Sequence, residues 1–139
     1  MNAKRIVISS LLIWIFKSAF VMLTCGWLFN WVYQIPPIIW KAPAQMMQTP
    51  NMLISYGGSL LVSLVFVLVF AWIYKGIPGK GAKKGVAYGF IVWLVGALSG
   101  ITLMPSYMTI ATTVVVYWLI QLLLISLISG AIVGAIYKK

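Results

Sequence analysis

The residues able to do chemistry are few and nearly all of one sign. The 139-residue chain carries ten lysines and arginines and no aspartate, glutamate or histidine. One of these cations, Lys17, stands inside an apolar run. It lies eleven residues past Ile6, about 16 Å along a helix and near the middle of a ~30 Å hydrocarbon core. A lysine at that depth costs about 2.5–3.5 kcal/mol on insertion scales. The usual remedy is a buried carboxylate, and this chain has none. Three readings of Lys17 follow. It snorkels to the interface, or the helix sits deeper than drawn. It is neutral and bonded to backbone carbonyls or to an amide such as Asn30. Or its partner is an Asp or Glu on another membrane protein.

A second group of cations, Lys80, Lys83 and Lys84, precedes an apolar segment. A helix starting there offers free N–H groups and a partial positive charge. Three lysines beside it could hold an anionic lipid headgroup, each contributing about 1 kcal/mol near an anionic surface. The alternative is that they only fix topology. Met46, Met47 and Met52 carry thioethers soft enough for Cu(I), but without the repeated spacing of a copper motif they read as interfacial apolar packing. Cys25 is the one cysteine. It can form neither an internal disulfide nor a C-x-x-C pair, so it reads as a small apolar residue in a helix.

What is missing excludes more than what is present suggests. Acid–base pairs, carboxylate-coupled proton transport and hard-cation sites all require carboxylates or histidine. Histidine-ligated haem, His/carboxylate zinc and a Ser-His-Asp triad are excluded on the same ground. Gly79-Lys80-Gly81 has neither P-loop nor dinucleotide-fingerprint spacing. The composition thus argues against an enzyme and assigns no metal or cofactor. The +10 charge does not point to nucleic acid, because the lysines gather at the ends of apolar segments and no soluble basic domain exists.

The elements that must position these residues are membrane helices. The chain is 63% hydrophobic and 7% charged, against about 25% charged in ordinary soluble domains. Apolar runs predict an all-α, polytopic membrane protein: four transmembrane helices in an up-down bundle forming a single domain over residues 1–139, with spans near 6–31, 51–74, 85–104 and 110–137. A cleaved signal peptide fits poorly, since Lys17 follows the first apolar stretch and no clean A-x-A appears. Pro36, Pro37, Pro43 and Pro50 break the first loop, where Trp31, Tyr33 and Trp40 suggest an interfacial aromatic belt. Pro78-Gly79 stops the second helix, and Pro105 is expected to close the third.

Charge sets the orientation. Lys4, Arg5, Lys75, Lys80, Lys83, Lys84, Lys138 and Lys139 fall on one side and Lys41 on the other, which predicts cytoplasmic N- and C-termini in a bacterial inner membrane. Small residues set the packing. Gly85, Gly89, Gly96 and Gly100 project onto a strip about 60° wide at 100° per residue. Ser126, Gly130 and Gly134 repeat at small-xxx-small spacing, so the third and fourth helices should pair through these faces. Gln121 is the one amide in the last span.

The C-terminal half resembles a family of small, uncharacterised bacterial four-helix integral membrane proteins. The likeness rests on Pro78-Gly79-Lys80-Gly81, Lys84-Gly85-x-x-x-Gly89, Met104-Pro105, Tyr117-Trp118 and Ser129-Gly130-Ala-Ile-Val-Gly134-x-x-Tyr137-Lys138. It implies the four-helix fold and supplies no activity to carry over. The functional expectation is a non-catalytic accessory or assembly subunit, packing against the lipid bilayer and another membrane protein. The alternative is a small homo-oligomeric anion channel or transporter using Lys17. The missing membrane-embedded Glu argues against a small multidrug carrier, and the strong charge bias against a dual-topology fluoride channel.

Overall fold

A computed structural model describes residues 2–137. Met1, Lys138 and Lys139 lie outside the described residues, and with them two cations of the orientation count and the last residue of the motif ending at Lys138. The chain is helical and contains four helices long and apolar enough to cross a membrane: Ala3–Leu28, Thr49–Ile73, Gly81–Tyr107 and Thr112–Ile136. A bilayer offers the backbone no water, so each apolar run closes its own hydrogen bonds as a helix despite its β-branched residues.

The first span starts on a cap, with the Asn2 side chain accepting from the Arg5 backbone N–H. It is α-helical over Ala3–Leu23 and closes with a π turn, Thr24–Leu28. The loop beyond it is less irregular than its prolines suggest. It holds a 3-10 turn, Asn30–Gln34, and a short helix, Pro43–Met46, with proline in its first turn.

The third span departs most from expectation. It begins earlier, at Gly81, runs as an α-helix to Val92, passes through a π segment, Trp93–Leu98, and resumes at Ser99. Pro105 does not end it. That residue sits in the opening of a further helical turn, Met104–Tyr107, where a missing N–H costs nothing.

The third and fourth spans pack most closely, while the first lies against the second and the fourth. Gly85, Gly89, Ser126, Gly130 and Gly134 form the closest seam. A Cβ added to Gly134 would meet the Gly81 carbonyl oxygen at 2.5 Å and the Gly85 Cα at 2.8 Å, and one added to Gly89 would meet the Ser126 carbonyl carbon at 2.8 Å. The expected strip divides here. Gly96 and Gly100 face open space, with no atom within 4 Å of an added Cβ. The projection assumed a uniform 3.6-residue turn. The intervening π segment adds a residue to the turn and swings everything beyond it by about 100°.

Two apolar clusters bracket the bundle. Near the first span's start, Ile6, Ile13, Val67, Phe70, Tyr88, Val133 and Tyr137 pack together. Near its far end, Val32, Ile110, Val114 and Val115 do the same. There the first loop is held down by rings: Trp40 stands edge-on to Tyr33 at 4.5 Å and to Trp118 at 5.6 Å.

Candidate functional site

Lys17 opens onto a groove between the first two spans. On the first helix Lys17, Val21 and Cys25 recur every four residues, with Ser18 and Met22 beside them; on the second, Met52, Ser55, Tyr56 and Ser59 follow the same helical spacing. These two faces, closed above by Tyr33, Met46 and Met47, bound a cavity of about 430 Å³. Trp14 pins the two helices together at its inner end. Its indole N–H donates to the Tyr56 carbonyl at 3.0 Å, and its ring meets the Tyr56 ring edge-on at 6.5 Å. Lys17 is half-buried and makes no hydrogen bond or ion pair among the described residues.

The far end of the groove is a polar knot at the π turn. The Thr24 hydroxyl donates to the Phe20 carbonyl at 2.7 Å, which also accepts the Thr24 backbone N–H. The buried Gln121 amide reaches across from the fourth span, donating to Thr24 Oγ1 at 2.7 Å and to Cys25 Sγ at 3.1 Å. The Tyr117 hydroxyl lies 3.3 Å from the same sulfur. The Tyr33 phenol is pushed above its ordinary range, first by burial and then by the neighbouring Cys25 and Tyr117, which titrate with it. A second cavity of about 500 Å³ runs beneath the first loop past Asn30, Trp40 and Lys41, and shares Cys25, Gly26, Tyr33 and Met46 with the first.

The lysines before the third span separate. Lys80 and Lys83 are exposed; Lys84 is buried. The Lys84 ammonium donates to the Tyr74 carbonyl at 2.6 Å and stands 4.1 Å over the Tyr74 ring. That carbonyl caps the end of the second span and needs a donor, so Lys84 ties the second span to the third. Next to it, the Tyr88 hydroxyl donates to the Phe66 carbonyl at 2.8 Å, and the rings of Phe70, Tyr74 and Tyr137 meet edge-on or tilted around both.

The candidate residues thus fall in four places: Lys17 in the groove, Lys80 and Lys83 at the surface, Gly96 and Gly100 in open space, and Lys84 with Gly85, Gly89, Ser126, Gly130 and Gly134 along the seam of the third and fourth spans. Ser18, Ser55 and Ser59 had no signal of their own in the sequence; Tyr33 was legible only as a belt residue and Tyr117 only as part of a motif. Gln121 had a signal, as the lone amide of its span. Cys25 is less an apolar filler than the centre of a hydrogen-bonded cluster. Among the described residues, no group of His, Cys, Asp or Glu could hold a metal ion. Comparisons with family models, curated proteins and solved structures return no match.

Proposed function

We propose that the chain is a non-catalytic accessory or assembly subunit of the bacterial inner membrane, which holds an Asp or Glu of a partner's transmembrane helix against Lys17. The observation carrying this reading is a half-buried ammonium that faces an open groove, in a chain with no acidic side chain to neutralise it. An intramembrane charge of this kind is paired as a rule. Hydroxyls of Ser18, Ser55 and Ser59 line the groove beside Lys17 and suit a carboxylate as donors. The proposal includes an up-down bundle with both termini in the cytoplasm, supported by the positive-inside count. It also includes Lys80 and Lys83 as contacts to anionic lipid, and kinship with the small bacterial four-helix membrane proteins, supported by the glycine and lysine motifs of the C-terminal half.

The test is co-purification from native membranes. Partner recovery is expected to fall with Lys17→Leu and to persist with Lys17→Arg, which keeps the charge. Equal recovery of the same partners by Lys17→Leu and the unaltered protein overturns the reading. The serine hydroxyls favour a second reading, an anion pathway in a homo-oligomer. Anion flux into liposomes holding only this protein, lost with Lys17→Leu, would select it.

A further inference from the structure

Sulfur is concentrated in one place. Four of the seven methionines, Met22, Met46, Met47 and Met52, border the groove together with the sole cysteine. They come from the first span, from the short helix of the loop with the residue that follows it, and from the start of the second span. None of the four belongs to either apolar cluster or to the residues packed on it, and all four are exposed, so no core packing holds their thioethers away from an ion. We infer that the loop end of this groove is a cuprous-ion site, in which the Cys25 thiolate and the surrounding thioethers bind Cu(I).

The donor set decides the metal. Thioethers with a thiolate are soft ligands and select Cu(I) or its analogue Ag(I), whereas calcium and magnesium require oxygen ligands and zinc takes several thiolates, imidazoles or carboxylates rather than thioethers. No side-chain carboxylate or imidazole exists in the chain to recruit these. Charge points the same way. Cu(I) displaces the Cys25 thiol proton, which leaves to solvent, and one monovalent cation replaces another. The charge of the site is unchanged and no electron moves. A divalent ion would add a charge to a membrane-facing groove that already holds Lys17.

The surroundings fit a ligand sulfur. Gln121 donates to Cys25 Sγ at 3.1 Å and Tyr117 lies at 3.3 Å, which orients the thiolate from behind as outer partners of a metal ligand do. Methionine is unbranched and turns freely, so thioethers on the loop can close over an ion. Lys17 lies eight residues from Cys25, about 12 Å along the helix, at the other end of the groove.

The test uses the full-length protein in nanodiscs, with anaerobic Cu(I) titrated against a chromophoric cuprous chelator. One Cu(I) per chain is expected. Affinity is expected to drop by about tenfold or more both in Cys25→Ser and in the combined Met46→Leu, Met47→Leu, Met52→Leu variant. In the unaltered protein, Ag(I) is expected to shield Cys25 from maleimide while Zn(II) does not, a readout that survives any misfolding of a variant. Failure of the unaltered protein to compete for Cu(I), full affinity in either sulfur variant, or equal shielding by Zn(II) overturns the site.

Discussion

Gly85 and Gly130 meet backbone to backbone: a Cβ added to Gly85 would lie 2.6 Å from the Gly130 carbonyl carbon and 2.9 Å from the Gly134 Cα. Main chain cannot swing aside as a side chain can. Gly85→Ala is therefore expected to destabilise the bundle by about 1–3 kcal/mol. Gly96→Ala and Gly100→Ala, which meet nothing, should stay within about 0.5 kcal/mol. Reversible unfolding in mixed detergent micelles measures all three.

Lys84 and its neighbours should behave differently. Lys84→Leu removes a charged hydrogen bond to the Tyr74 carbonyl, with an expected loss of about 1.5–3 kcal/mol. Lys80→Ala and Lys83→Ala should leave the unfolding midpoint unchanged and instead weaken selective retention of anionic lipid, read by lipid mass spectrometry of the purified protein.

In the isolated protein Lys17→Leu should cost no stability, because no internal bond is lost. Relief of the lysine's insertion cost, about 2.5–3.5 kcal/mol at a helix centre, acts in the opposite direction. A clear loss of stability in detergent, measured as above, would mean that Lys17 is held by this chain itself.

Gln121→Leu breaks the bridge from the fourth span to Thr24 and Cys25. Interhelical bonds in membranes average about 0.6 kcal/mol, but two acceptors are left behind at once, so a loss of about 1–2 kcal/mol is expected. Unfolding of Gln121→Leu beside Tyr117→Phe separates the amide's share from the hydroxyl's.

Alkaline pH should loosen the first loop. The Tyr33 phenol is shifted up in the folded chain, chiefly by burial. A phenol whose folded value is raised lends stability that is fully present below the unfolded value, about 10, and is lost as pH climbs above it. The melting temperature should fall as pH passes about 10, and Tyr33→Phe should flatten that slope.

The sequence alone determined the number of long apolar helices, their approximate limits, the lack of acidic and histidine side chains and the close seam between the third and fourth helices. Each of these follows from local rules: apolar run length, residue type, and small residues every fourth position. It read Gly96 and Gly100 as part of that seam because a projection cannot see the π segment at Trp93–Leu98, which depends on how the helix packs. Lys84 looked equivalent to Lys80 and Lys83 until the second span placed the Tyr74 carbonyl within its reach. Cys25, Met22 and the loop methionines were separate remarks along a line. Only folding, which lays the second helix and the first loop against the first helix, gathers their sulfurs around one cavity, because contacts between distant segments are written in no single stretch of chain.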